Sequence, residues 1–275
     1  MSRKNIRRSL LCVLGLLVTA FYLFPLYWMY ITAFKNSGEM FRYPPTYWPM
    51  AAKASFVQVF QEHGMAHFLW NSLVVASGTT LLAVVMGSGA AYALAQVRNR
   101  WTDAAIFLIL VLQALPPSLM VTPIFTAFKA FGLLASPRLA VILAQIGKVL
   151  PFYIVLCRSS FVQIPREMRE AARVDGASPA QTFFQIILPL ARNGILVTAI
   201  LIFLQSFGEY VYSRSLILDD TYQTTAVGLS AFVGDTKTDW VGIMNYAAIY
   251  VTPVLLAFIF LQRRIVSGLT AGALK

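Results

Sequence analysis

Charge is what this sequence has least of. Asp, Glu, Lys and Arg make up 12% of the 275 residues while 58% are hydrophobic, against about 25% charged in soluble domains. That balance argues against an ordinary soluble domain and requires another home for the apolar surface. Histidine and cysteine are nearly absent, with two of each. Cys12 and Cys157 lie in or beside apolar runs, so a disulfide or metal site between them is not expected and both read as small hydrophobes. There is no G-x-x-x-x-G-K-[ST] phosphate loop, which excludes ATP hydrolysis by that route. There is also no H-E-x-x-H motif or paired-carboxylate constellation: His63 and His67 sit together near the outer end of one apolar run. No catalytic residue, metal ligand or cofactor site is expected in the chain.

What is present is a series of long apolar runs, and lipid needs about 20 such residues per crossing. Six are found, at roughly 9–34, 68–97, 104–127, 139–156, 195–212 and 243–261. The first follows Arg3, Lys4, Arg7 and Arg8 but is too long for a secretory signal and has no small-residue cleavage site, so it reads as a span that stays. Prolines at 25, 116, 117, 151 and 253 fall inside or at the edges of these runs. Kinked helices are expected there, because neighbouring helices can satisfy the freed carbonyls.

Six spans put both termini on one side. Fourteen basic residues fall on that side, against seven on the other, where Glu39, Glu62, Asp219, Asp220, Asp235 and Asp239 also lie. Both termini are therefore cytoplasmic by the positive-inside rule. The formal charge of +11 is mainly a topology signal, and nucleic-acid binding is a poor account of it. The fold class is all-α: a six-helix transmembrane bundle, one domain over residues 1–275.

Two local patterns stand out. Ala83, Gly87, Ala91 and Ala95 recur every four residues and form a small-residue ridge along one helix face, suited to close helix contact in lipid. The stretch EMREAARVDGAS at 167–178 concentrates charge inside the cytoplasmic loop 158–193. On helical spacing Glu167, Glu170, Ala171 and Val174 share a face, and Asp175-Gly176 ends the helix. Ser178, Pro179 and Gln181 start another with a capping box. The loop suits either insertion into a groove on another protein or a solvated position on the membrane surface.

The run EMREAARVDGASPAQTFFQIILPLARNGI closely resembles the EAA loop of permease subunits of ATP-binding-cassette importers: EAA, three residues, Gly, nine residues, then I-x-L-P. Glu170-Ala171-Ala172, Gly176, Ile186, Leu188 and Pro189 fill that pattern. The resemblance extends over nearly the whole chain and narrows to the second permease of maltose-type carbohydrate importers, on NSLVVASGTTLLAVVMGSGAAYALA, ALPPSLMVTPIF and the ending GLTAGALK. It implies that Glu167, Glu170, Ala171, Ala172, Asp175, Gly176, Ala177 and Ser178 form a coupling helix seated in a cleft of a cytoplasmic ATPase. It also implies a second permease as heterodimer partner, an ATPase homodimer that binds ATP and Mg, an extracytoplasmic solute-binding protein, a sugar substrate, and a place in a bacterial or archaeal cytoplasmic membrane. SFGEY at 206–210 and Lys148 depart from the family pattern.

The solute path is expected along the fifth span, where Gln205, Glu209 and Tyr212 recur at i, i+4 and i+7. An amide and a carboxylate suit sugar hydroxyls, and a ring can stack on a pyranose. Lys148 lies near mid-membrane, where a lipid-facing lysine is costly, with Glu209 as the obvious counter-charge. The alternatives are an importer permease for another small polar or anionic solute, an ion-coupled secondary transporter using Lys148 and Glu209 as a relay, and a channel.

Overall fold

A computed structural model describes residues 3–50, 56, 59, 64–97, 99–233 and 238–270. Lys53, Glu62, His63, Arg98, Asp235, Lys237 and the tail after Thr270 lie outside them. The described chain is helical, apart from one isolated antiparallel bridge between Val233 and Thr238. The main helices are α1 (Arg3–Ala33), α2 (Met65–Gln96), α3 (Arg100–Leu112), α4 (Pro117–Ala130), α5 (Pro137–Val162), the short α6 (Glu167–Val174), α7 (Leu188–Phe207), the short α8 (Val211–Leu216) and α9 (Trp240–Thr270). Among the described residues, five helical stretches are long and apolar enough to cross a membrane, and six if α3 and α4 together count as one.

The third expected span, 104–127, is not one straight helix. α3 and α4 meet at 88°. Pro117 takes the first helical position of α4, and Pro116 is extended at φ −69, ψ 137. A residue that precedes proline is driven out of the α region, so the double proline breaks the span rather than kinking it. Pro25, Pro151 and Pro253 do lie within continuous helices, as expected.

The cytoplasmic loop is shorter than 158–193, because α5 runs to Val162 and helical backbone resumes at Pro179. From there the chain passes through a π-helical segment, Thr182–Ile187, directly into α7. The cause is Pro189, which has no N–H and whose ring crowds the carbonyl four residues back. Widening the preceding turn relieves that crowding: the Leu188 N–H bonds to Phe183 O, five residues earlier. The fifth span therefore occupies 179–207 instead of 195–212.

Two compact units are found: residues 1–65 with 228–253, and residues 66–227 with 254–275. In the first, α1 leaves Leu10, Leu14, Leu17 and Phe21 more than half exposed, an apolar surface for lipid. Further along the helix, Tyr30 Oη and Thr252 Oγ1 hydrogen-bond at 2.8 Å. Lys35 is buried, donates to Thr46 O and sits 4.4 Å from the centroid of the Trp28 ring.

The second unit has two apolar clusters along α5. Ala83, Ala91, Val149, Tyr153, Cys157, Phe161, Ile195 and Ile202 form one. Val75, Val141, Ala144, Tyr212, Leu216 and Ile217 form the other. Between them Gln145, 1% exposed, accepts a hydrogen bond from Ser206 Oγ. The small-residue ridge of α2 is where α5 comes closest. Ala83 and Ala91 are fully buried, and a Cβ on Gly87 would run into the Tyr153 ring. Ser88 and Tyr153 Oη close the contact at 2.7 Å. On the other flank of α5, a Cβ on Gly194 of α7 would collide with the Ser160 side chain.

Gly87→Ala should destabilise the detergent-solubilised protein by about 1–3 kcal/mol, the usual cost of overpacking. Gly89→Ala, whose added Cβ meets nothing within 4 Å, should leave the thermal unfolding midpoint unchanged or slightly higher. Equal midpoints for the two variants would show that the α2–α5 approach is not tight.

Candidate functional site

The loop between α5 and α7 is built by local rules. Glu167 and Glu170 occupy the first turn of α6 and Arg173 the last, so each charge faces the favourable end of the helix dipole. The C-terminus is a complete Schellman turn. Gly176 N–H bonds to Arg173 O at 3.1 Å, Ala177 N–H bonds to Ala172 O at 2.9 Å, and Gly176 has φ +82. An L side chain adopts that backbone only at a cost. Ser178 then caps the next turn: its Oγ accepts from Gln181 N–H at 3.3 Å, and Gln181 Oε1 accepts from Ser178 N–H at 2.8 Å. Pro179 follows at the first helical position. The turn and the capping box form at the residues where the sequence placed them.

α6 has two unlike faces. Ala172 is buried and packs toward the π segment, where Thr182 and Ile187 are buried too. Glu167, Glu170, Ala171 and Val174 are exposed together, with Val174 87% exposed. Asp175, Gly176 and Ser178 are exposed as well, and Ala177 is half-buried. An apolar β-branched residue therefore sits at the end of an open acidic face, on a helix closed by the Schellman turn.

The polar stripe expected on the fifth span does not form a single helix face. α7 ends at Phe207 with Gly208 as its C-cap, so i, i+4 and i+7 spacing does not carry past it. Gln205 is exposed on α7, whereas Glu209 lies in the turn that follows, 8% exposed. Its carboxylate accepts from Tyr212 N–H at 2.9 Å and from Ser213 N–H and Oγ at 3.1 and 3.3 Å, capping α8. Tyr212 is buried in the outer apolar cluster. The expected counter-charge for Lys148 is thus already engaged, and no ion pair joins Lys148 to Glu209 among the described residues. Lys148 is half-buried, and its backbone carbonyl accepts from Gln113 Nε2.

A polar clamp at the outer end escaped the sequence reading. Arg138 donates from Nε and Nη2 to Asn71 Oδ1 at 2.9 and 2.7 Å, with its guanidinium 5.0 Å from the Tyr222 ring centroid. Asn71 Nδ2 donates in turn to Thr221 O and Gln223 O, both at 2.9 Å. Ser72 Oγ meets Thr225 Oγ1 at 2.7 Å. These bonds pin the segment after α8 onto the starts of α2 and α5. Asp219, at the surface of that segment, is held below the usual carboxylate range by the Thr221 N–H and hydroxyl. The signal available in sequence was an Asn-Ser pair opening an apolar span, which says nothing of partners some 150 residues away.

Helices long and apolar enough to cross a membrane several times, with an exposed loop helix between α5 and α7, define a multi-pass membrane protein. The family model for binding-protein-dependent transport system inner membrane components matches residues 83–270, and the chain belongs to that family. It is similar to the sulfoquinovosyl glycerol transport system permease protein of Agrobacterium fabrum, 31% identical over 92% of this chain and 89% of that protein. It is also similar to the trehalose/maltose transport system permease protein of Thermococcus litoralis, 30% identical over 100% and 99% of the two. Among solved structures, a bacterial ABC transporter involved in the import of the acidic polysaccharide alginate matches with a TM-score of 0.76 at 19% identity, covering 96% of this chain and 98% of that one. That likeness supports the fold. The protein is a permease subunit of the inner membrane.

If Glu209 acts as a helix cap and not as an ion-pair partner, Lys148→Met and Glu209→Ala should be additive. The double variant should lose the sum of the single losses in stability to within about 0.5 kcal/mol, with Glu209→Ala alone costing about 1–2 kcal/mol. A double variant that recovers most of either single loss would restore the ion pair.

Proposed function

We propose that this chain is one of two permease halves of an ATP-driven sugar importer. A second permease completes the pathway, and an external solute-binding protein delivers the sugar. An ATPase homodimer holds ATP and Mg and drives the cycle, while this chain carries no cofactor, metal or catalytic group. Residues 1–275 act as a single transmembrane domain. Support for a sugar comes from the named transport systems of the relatives, to which the diacetylchitobiose uptake permease of Streptomyces coelicolor, 30% identical over 92% of this chain, adds a further saccharide.

The observation that carries the reading is the exposed face of α6. Glu167, Glu170, Ala171 and Val174 are exposed on a helix closed by the Schellman turn, with the Ser178 capping box starting the next turn. An ordered helix presenting two carboxylates, a methyl group and an exposed valine is suited to a cleft on another protein, and we assign that cleft to the ATPase. Ala172, Asp175, Gly176, Ala177 and Ser178 hold the face in shape. Because the backbone runs from the Ser178 cap into α7, movement of the docked helix reaches the fifth span directly. The pathway we propose passes Gln205 and Lys148, with Glu209 and Tyr212 fixing the turn that ends α7.

One observation favours an acidic sugar as substrate. Lys148 is a cation within a span, and no carboxylate neutralises it among the described residues. In the reconstituted importer, Lys148→Met should then abolish uptake of an anionic sugar and spare a neutral one. Equal loss of both would assign Lys148 to folding.

Gly176→Leu tests the docking assignment. The left-handed backbone costs a side chain about 1–2 kcal/mol, so transport and receptor-stimulated ATPase activity should fall together by about tenfold while the permease pair still purifies intact. Glu170→Lys should act in the same direction by reversing a charge on the docked face. Unchanged transport in both variants, with the ATPase still bound, would remove α6 from the coupling path.

A further inference from the structure

The face of α6 turned away from the proposed ATPase contact carries a different chemistry. Arg166, Arg169 and Arg173 are spaced three and four apart and so form one row. At about 100° per residue, that row is centred about 130° around the helix from Glu167, Ala171 and Val174, with Glu170 between the two. All three arginines line one cavity of about 280 Å³, together with Tyr92 and Gln96 from the end of α2. A neighbouring cavity of about 340 Å³ shares Tyr92, Gln96, Arg166 and Arg169 and continues along Phe161 and Ile187.

The charge of this place is only partly compensated. Glu170 lines the first cavity and Glu167 the second, two carboxylates against three guanidiniums, a local charge of +1. Arg169 is positioned by its bond from Nη1 to Gln96 Oε1, at 2.7 Å. Arg166 and Arg173 form no side-chain hydrogen bond or ion pair among the described residues. Gathering three such groups on one small cavity is repulsive unless an anion sits among them, and guanidinium forks match phosphate oxygens closely.

The floor is apolar and aromatic. Tyr92 stacks near Phe161 and Phe183, with ring centroids 5.6 and 5.0 Å away. The cavities also lie where spans end: α2 stops at Gln96, α5 at Val162, and the fifth span begins at Pro179. That is the depth of the cytoplasmic headgroups, and the cytoplasmic leaflet is rich in anionic lipid.

We propose that these arginines form a phosphate site for the headgroup of an anionic phospholipid of the cytoplasmic leaflet, bound between α6 and the ends of α2 and α5. The phosphate sits among Arg166, Arg169 and Arg173, and the glycerol and first acyl carbons lie on the floor formed by Tyr92 and Phe161. Bound lipid then screens the arginine row and holds α6 against the bundle. The inference goes beyond the transport reading and does not depend on which solute is carried.

The test is native mass spectrometry of the purified complete importer, incubated with phosphatidylglycerol or phosphatidylcholine of matched acyl chains, with and without inorganic phosphate as competitor. The wild-type complex should retain phosphatidylglycerol in preference to phosphatidylcholine. Arg166→Gln combined with Arg173→Gln, both exposed residues, should weaken that retention by about tenfold or more, since each cation near the leaflet contributes about 1 kcal/mol. Arg192→Gln, which removes an exposed charge outside both cavities, should leave retention unchanged. Displacement of the lipid by inorganic phosphate at equal concentration would overturn the lipid assignment in favour of a free anion. Retention that is the same in wild type and the double variant would overturn the site. So would a double variant that sheds the ATPase while keeping its lipid, because the arginines would then serve the protein partner.

Discussion

Everything in the larger unit leans on α5. In lipid there is no water to expel from between helices, so association must come from contact, and contact needs backbones that can approach. α5 carries bulky rings, Tyr153 and Phe161, in its core-facing row, and its neighbours yield to it by having little side chain at the meeting points. Gly87 and Ala91 on α2 do this on one flank, and Gly194 on α7 on the other. The first apolar cluster contains these contacts, and the hydrogen bond between Gln145 and Ser206 separates it from the second. A buried amide in that position fixes which face of α7 meets α5, since any other rotation would leave a polar group facing hydrocarbon.

The cytoplasmic end and the outer end are secured differently. At the inner end the shape of the loop is set locally, by caps, a Schellman turn and a short helix resting on a widened one, and Arg158 and Arg169 tie it to the end of α2 at Leu94 O and Gln96. At the outer end the bonds are long-range, with Arg138 and Asn71 reaching across to backbone carbonyls at 221 and 223. That contrast fits the work proposed for each end. A coupling element must keep its own shape while a partner pulls on it, so its order has to be internal. A segment near the solute entrance is secured by bonds to other helices, and its position follows theirs.

The same division explains what the sequence disclosed. Gly176, Ser178 and Gln181 were legible because turns and caps depend on neighbours a few residues away. The ridge at Ala83, Gly87 and Ala91 was legible because it follows the helical period. Hydropathy counts residues without reading direction, so the run 104–127 passed for one span although Pro116-Pro117 stood within it. The stripe of Gln205, Glu209 and Tyr212 assumed that helical phase persists, and Gly208 ended the helix between them. In sequence Glu209 reads as a counter-charge, because the N–H groups of Tyr212 and Ser213 that hold it are invisible until the backbone turns. The clamp on Asn71 could not be found by any local rule.

The π segment ahead of α7 has one more effect. A turn closed over five residues instead of four takes up an extra residue without lengthening the helix by a full step, so it shifts the angular phase of everything downstream. α6 and the Ser178 cap are referenced to one side of Thr182–Ile187, and Ser206 and Gln205 to the other. Were the segment ordinary α-helix, the residues beyond it would stand rotated by about 100°, and Ser206 would no longer point at Gln145. The proline at 189 thus acts as an indexing device, setting the azimuth at which a span that starts in the cytoplasmic loop presents its side chains at mid-membrane.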